Sequence, residues 1–174
     1  MEAKMKTCAF FGSKVGEYGR YKELLFRLIV KLIEEQNVQR FYSGGRGKFD
    51  IFCAETVGKA RKIYPQIENI LALSYMLVQK EDFVLPNRYT GSEYLLERRV
   101  PPRYAIIETN KLMIKKADFI IVATRNSFGG ARTAREYAEK QKKKIIDIEE
   151  LALKIAKNDE KLCVFDKKGI EEIL

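Results

Sequence analysis

The chain of 174 residues predicts a Rossmann-like α/β fold, a doubly wound parallel sheet of strand order 3-2-1-4-5 with a short C-terminal extension. Short apolar runs alternate with longer segments whose apolar residues recur every three to four positions, which indicates alternating strands and helices. Continuously apolar strands are typical of a parallel sheet covered by helices on both faces. Three apolar runs also end in glycine-rich turns, where a strand passes into a helix.

The first half of the chain predicts three strands and two helices. The pairs Leu24/Leu25 and Leu28/Ile29 lie four residues apart, as on one buried helix face, and Pro65 ends the second helix. The predicted strands cover residues 7–11, 40–43 and 69–75, and the predicted helices cover residues 18–36 and 49–64.

The second half predicts the rest of the sheet after an irregular stretch. Residues 79–102 show no sustained period and carry several prolines, so we expect a functional or mobile loop there. Helices follow at 103–117 and 131–141, and strands at 118–124 and 144–148. Residues 1–148 are interpreted as one domain. Residues 149–174 are expected to pack on it as an extension with a helix, a strand at 162–165 and a terminal helical turn.

The composition excludes several kinds of chemistry. The three cysteines, Cys8, Cys53 and Cys163, form no paired motif, and the chain contains no histidine. Serine–histidine and cysteine–histidine catalysis and the commonest zinc sites are therefore excluded, and we predict neither a metal site nor a cofactor. No apolar run reaches the roughly 20 residues of a membrane span, and the N-terminal residues do not resemble a signal peptide. We expect a cytoplasmic protein that does not contact a membrane.

The net charge of +9 allows nucleic acid as a partner without favouring it. The densest basic cluster, residues 140–144, falls at the predicted C-terminal end of a helix, where cations complement the helix dipole.

The three glycine turns predict a site for a phosphate-bearing ligand. Glycine allows close backbone approach, and the following helix offers free N–H groups. The predicted strand order brings the turns to one crevice. The candidate ligand-binding residues in these turns are Gly12, Ser13, Lys14, Gly44, Gly45, Arg46, Gly47, Ser127, Gly129, Gly130 and Arg132.

Three polar residues nearby have two interpretations each. Asp50 either stabilises a helix N-terminus or accepts a ribose hydroxyl. Asn110, on an apolar helix stripe, either bonds a neighbouring loop or contacts the ligand. Glu136 is the one candidate catalytic residue, and its alternative is an ordinary surface position. The irregular stretch is either an ordinary loop or a lid that closes over a bound base by stacking on it. The candidate lid residues are Tyr89, Glu93, Tyr94, Arg98 and Arg99.

Residues 8–12, 41–50, 100–106 and 127–131, together with Asn110, resemble the SLOG superfamily, and within it the YpsA-like branch. The resemblance spans roughly residues 6 to 148. It implies a Rossmann-like fold that binds nucleotides or nucleotide-derived molecules, and a homodimer.

In one departure from that branch the chain is similar to the Lonely Guy phosphoribohydrolases, which cleave a base from a nucleoside monophosphate. Ser13-Lys14 stands where the branch commonly has His-Arg, and those enzymes have Gly-Ser in this loop. Their Gly-Gly-X-Gly-Thr-X-X-Glu motif aligns with residues 129–136, so the resemblance implies ligand contact by Thr133 and a role for Glu136. Arg132 replaces the third glycine, and Asn110 corresponds to an arginine of those enzymes.

Three functions follow from these observations. The leading one is a protein that binds a nucleotide-derived small molecule as a sensor, carrier or sequestering module. The alternative is a nucleotide N-glycosidase or base-transferring enzyme that uses Glu136. The third is single-stranded nucleic-acid binding, since the superfamily also resembles a DNA-processing protein.

Overall fold

Six parallel strands form one sheet in the order β4-β3-β2-β1-β5-β6, in a computed structural model that describes residues 4–76, 83–125 and 128–159. The strands are β1 (Lys6–Gly12), β2 (Val38–Ser43), β3 (Glu68–Leu73), β4 (Gly91–Tyr94), β5 (Phe119–Ala123) and β6 (Lys144–Asp147). The five strands predicted from the sequence have the expected Rossmann-like order, which confirms the fold class.

Helices cover both faces of the sheet. They are α1 (Lys22–Gln36), α2 (Lys48–Ala60), α3 (Pro102–Lys116), α4 (Gly130–Lys140) and α5 (Ile148–Asp159). One core joins α1, α2 and α5 to the sheet, and the other joins α3 and α4 to its opposite face. In β1, Cys8 and Phe10 enter the first core, and Ala9 and Phe11 enter the second. Both faces of this strand are buried, which explains its continuous apolar run.

The expectation of an irregular stretch over residues 79–102 is wrong in one respect. β4 pairs in parallel with β3, from Ile70 beside Gly91 to Leu73 beside Tyr94. This added strand is short and has polar residues on the sheet edge. Polar, short edge strands resist pairing with other chains, and they carry little hydrophobic pattern for a sequence to reveal.

The C-terminal part of the described chain adds one helix, α5, to the core. Ile148 and Leu151 of α5 are buried in the core that α1 and α2 also form. The strand predicted at 162–165 and the terminal helical turn lie outside the described residues. Among the helices that the structure describes, none is long and apolar enough to cross a membrane.

Candidate functional site

A crevice of about 420 Å³ lies at the carboxyl ends of β1, β2 and β5. β1 is hydrogen-bonded to both other strands, so the turns that follow the three strands meet there. Predicted site residues in the lining are Gly12, Ser13, Lys14, Gly44, Arg46, Gly47, Asp50, Asn110, Gly129 and Gly130.

The other predicted site residues lie elsewhere. Gly45 has a positive φ of 67°, and a Cβ there would lie 2.5 Å from Leu71 Cδ1. Thr133 and Glu136 line a neighbouring cavity between α3 and α4, not the crevice. Arg132 is exposed and forms an ion pair with Glu136, with 3.1 Å between Nε and Oε1. Ser127 lies outside the described residues.

Two of the glycines are required by packing between the first turn and α2. A Cβ on Gly12 would lie 2.2 Å from Cδ1 of the fully buried Phe49. A Cβ on Gly47 would lie 2.8 Å from Cα of Lys14. These glycines therefore have a structural reason that is independent of any ligand.

Several amides at the start of α2 are bonded within the protein, although no side chain of the described residues bonds the cap position of this helix, as in α4. Oδ2 of Asp50 accepts the backbone N–H of Arg46 at 3.2 Å, and the carboxylate also accepts a backbone hydrogen bond from Gly47. The N–H of Lys48 donates to the carbonyl of Lys14 at 3.1 Å. An acid in the first turn of a helix that accepts the amides before it is a recognised cap. Three amides of the second glycine turn are thus already bonded.

Burial controls the charges beside this cap. Removal from water raises the pKa of the Asp50 carboxyl, and the backbone N–H and guanidinium of Arg46 offset only part of that rise. Burial likewise lowers the pKa of Arg46, against the attraction of Asp50. The Arg46 guanidinium donates a hydrogen bond to Oγ of Ser74. The opposite charges of Arg46 and Asp50 therefore attract each other at the crevice wall, but desolvation outweighs that attraction for both groups.

The N-terminus of α4 is open to the crevice. Gly129 precedes it with φ 80° and ψ −136°, a backbone conformation that only glycine adopts readily. No side chain of the described residues caps this helix, and its first turn contains no acid. A Cβ on Gly130 would meet no described atom within 4 Å. The first N–H groups of an α-helix have no partner within the helix, so this turn presents donors and a positive dipole end to the cavity.

A partly buried ion pair holds α4 in place. Arg135 of α4 donates to Oδ2 of Asp147 at 2.6 Å. The Asp147 carboxylate, at the end of β6, also accepts the N–H of Glu149 at 3.0 Å and so caps α5. The orientation of α4 at the crevice is therefore tied to α5.

Asn110 contacts both cavities. Its side chain is half-buried, and it has no hydrogen-bond partner among the described residues. The structural bond to a neighbouring loop, one of the two interpretations of this residue, is thus not seen there. An amide with free donors and an acceptor at a cavity wall is suited to contact a ligand.

Two exposed apolar side chains at the crevice escaped the sequence analysis. Phe128 is 88% exposed and Val15 is 73% exposed, and both line the cavity. Each lies next to a glycine turn, and this proximity is the sequence feature that could have indicated a place at the site. Exposure of a lone apolar residue has no periodic signature, so the sequence did not distinguish them from core residues.

The residues proposed as a lid do not line the crevice. Tyr89 is buried, with its hydroxyl 2.9 Å from Oγ of Ser43. Glu93 accepts a hydrogen bond from the Tyr42 hydroxyl at 2.6 Å and pairs with Lys116 at 2.6 Å. In this structure both residues join the added strand segment to the sheet.

Fold and site together define an α/β Rossmann-like protein with a ligand-sized crevice at the point where the strand order reverses. No protein-family model matches the chain, and no curated protein matches it by sequence.

Solved structures share the fold. DNA processing protein A from Helicobacter pylori, described for its single-stranded DNA binding mode, is 21% identical with a TM-score of 0.56, over 82% of this chain and 64% of that one. DNA processing protein A from Streptococcus pneumoniae is 15% identical with a TM-score of 0.55, over 82% and 50%. The molybdenum cofactor binding protein from Rippkaea orientalis is 13% identical with a TM-score of 0.53, over 89% and 86%. The chain thus spans less than two thirds of either DNA processing protein, and the likeness is one of fold.

Proposed function

We propose that this protein binds a nucleotide or nucleotide-derived small molecule in the crevice, as a sensor, carrier or sequestering protein. The observation that carries the proposal is the N-terminus of α4, which no side chain of the described residues caps, beside a cavity of about 420 Å³. Anionic groups such as phosphate bind to free helix N-termini because N–H donors and the helix dipole both favour negative charge. The sequence resemblance to the YpsA-like branch of the SLOG superfamily supports the same ligand class.

The free amides of α4 favour one orientation of the ligand in this crevice, whose lining also includes Lys14 and Arg46. The phosphate would lie at Gly129 and Gly130, away from the carboxylate of Asp50. The ribose hydroxyls would point toward Asp50, which still has acceptor capacity after capping α2. The base would lie near the rim, against Phe128 and Val15, where an exposed aromatic ring offers a stacking surface.

Calorimetric titration of the purified chain with nucleoside mono-, di- and triphosphates, nucleotide sugars and cyclic nucleotides tests the proposal. We expect saturable binding of at least one class, and competition by millimolar inorganic phosphate for the same site. Absence of heat and of thermal shift with every compound would contradict it.

The alternative of an N-glycosidase has a specific observation in its favour and one against it. Glu136 lines a cavity together with Asn110 and Thr133, as the phosphoribohydrolase resemblance implies. However, the Glu136 carboxylate forms an exposed ion pair with Arg132, and Asn110 brings no cation to the transition state. Release of free base from nucleoside monophosphates, abolished in Glu136→Gln with ligand binding retained, would establish the enzyme. If no free base is released, the enzyme alternative is eliminated and the binding function stands.

Single-stranded nucleic acid is a further candidate because the net charge is +9 and two neighbours in fold are DNA processing proteins. Binding of this kind weakens steeply with salt. Fluorescence anisotropy with a labelled 20-nucleotide oligomer at 50 and 200 mM salt tests it. Affinity that is absent or insensitive to salt would eliminate this candidate.

A further inference from the structure

The strands begin at the edge of the sheet opposite the crevice, and this edge carries a second charged surface. Each strand is parallel to its neighbours, so every strand starts at this edge and ends at the crevice side. β1 alone extends from Lys6 to Gly12, which is about 20 Å at about 3.3 Å per residue. A group bound at the starting edge therefore does not contact a ligand in the crevice.

Lysines on neighbouring elements make this edge basic. We define the amino-edge patch as Lys6 on β1, Lys115 on α3, Lys142 and Lys143 in the turn after α4, and Lys144 on β6. Nζ of Lys143 donates a hydrogen bond to the carbonyl of Lys115 at 3.0 Å. Nζ of Lys6 and Nζ of Lys144 lie 5.7 Å and 5.4 Å from the centre of the Phe119 ring. These contacts join lysines from separate elements into one surface.

The charge of the patch is not cancelled by nearby acids. Within the described part of the chain, no carboxylate forms an ion pair with any of these lysines. Asp118 lies close in sequence, but its Oδ2 accepts the backbone N–H of Thr7 at 2.9 Å. The Phe119 ring attracts two ammonium groups through its π electrons without neutralising them. The patch is therefore a field of positive charge open to an anionic partner.

Complementing helix dipoles explains only part of the patch. Lys115 lies in the last turn of α3, and Lys143 bonds a carbonyl of that turn. Lys144, however, belongs to β6, and Lys142 follows the end of α4 with a positive φ of 54°. Glycine adopts this left-handed conformation freely, whereas other residues adopt it at a cost. A lysine at a helix end that suits glycine indicates a role for its side chain.

We propose that the amino-edge patch binds the phosphate backbone of double-stranded DNA without reading its sequence. Lysine binds phosphate as a point charge, which suits contact with a backbone. Binding of single strands uses aromatic stacking surfaces, and Phe119, the ring within the patch, is only 2% exposed. β1 and β6 lie two strand spacings apart, or about 10 Å, and the major groove is about 12 Å wide. Lysines on both strands can therefore contact the two backbones that border one groove.

Fluorescence anisotropy with a labelled 20-base-pair DNA duplex between 50 and 200 mM salt tests the proposal. We expect Lys115→Gln and Lys144→Gln each to weaken binding about threefold and to reduce the salt dependence by about 0.9, the slope of one phosphate contact. Lys22→Gln is the matched control, because Lys22 is exposed and begins α1 on the crevice side. It removes the same charge and should leave both quantities unchanged.

Lys142→Gly separates binding from structure. We expect a higher midpoint of urea denaturation, because glycine relieves the left-handed conformation, together with a duplex affinity about threefold lower. A gain in stability with unchanged affinity would overturn the role given to this lysine and with it the proposed contact.

Other results would also overturn the proposal. They are absence of duplex binding at 50 mM salt, a loss in Lys22→Gln equal to that in Lys144→Gln, and tighter binding of a 20-nucleotide single strand. Displacement of the duplex by polyglutamate at equal charge concentration would instead indicate an acidic protein as the partner. Displacement by saturating ADP would assign DNA to the crevice. Because the patch lies at the opposite edge, failure of duplex binding leaves the proposed nucleotide site intact.

Discussion

Two helices, α2 and α4, begin at the same crevice after similar glycine-rich turns, yet their N-termini differ. The turn before α2 packs against the first turn, and Asp50 and Lys14 already accept its amides. The turn before α4 has no side-chain cap among the described residues and faces open space. From this comparison we expect a glycine-rich turn to bind a ligand only where its backbone donors have no other partner.

The largest effect should follow a change where the first glycine turn packs against α2. Gly12→Ala places a Cβ 2.2 Å from a ring atom of Phe49, which is fully buried and has no room to move. We expect the free energy of unfolding to fall by about 1–3 kcal/mol, the usual cost of overpacking, as measured by urea denaturation.

Gly19→Ala is the control for this change, since a Cβ there meets no described atom within 4 Å. If both alanine variants are equally stable, the packing explanation of Gly12 is wrong.

A glycine-to-alanine substitution at the start of α4 should lower ligand affinity and leave stability intact. In Gly130→Ala the new methyl group has space in the protein but occupies the surface where the phosphate would lie. We expect affinity for the nucleotide to fall about tenfold, or about 1.4 kcal/mol. Stability should be unchanged or higher by up to about 1 kcal/mol, because alanine restricts the unfolded chain. Titration and urea denaturation of one preparation measure both quantities, and unaltered affinity would remove Gly130 from the site.

A smaller loss is expected at the rim. Phe128→Ala should weaken nucleotide binding about fivefold, or about 1 kcal/mol, because a base loses its stacking partner. Phe128→Tyr should bind normally, and Val84→Ala, at a position 83% exposed outside the crevice, should have no effect. An equal loss in the tyrosine variant would mean that stacking is not the reason.

The smallest effect concerns the pH dependence of stability that arises from Asp50, in the first turn of α2. Burial raises the pKa of Asp50 in the folded protein above its ordinary value of about 4, so the folded state binds the proton more tightly than the unfolded state. The contribution of this group to stability is therefore greatest at acid pH and is lost as the pH rises through the raised pKa. The free energy of unfolding of the wild type, minus that of Asp50→Asn, should fall over this window in urea titrations. A difference that is flat or rises with pH would contradict the burial of this carboxyl.

The sheet could be predicted from the sequence because its strands are apolar on both faces, as in residues 8–11 of β1. β4 could not be predicted, because its four residues lie at the polar edge of the sheet and bury little apolar surface. The residues that line the crevice were largely identified from the glycine turns. The difference between α2 and α4 was not, because it depends on which acceptor reaches each amide. Only the three-dimensional contacts of Asp50 and Lys14 reveal that.

The central claim is that the anion binds at α4 and not at α2, and amide NMR shifts test it most directly. Inorganic phosphate and then ADP would be titrated into the ¹⁵N-labelled chain at constant pH. We expect the largest shifts at the amides of Gly129, Gly130 and Ala131, with small changes at Gly44, Arg46 and Gly47. Dominant shifts in the turn before α2, or none in either turn, would contradict the account.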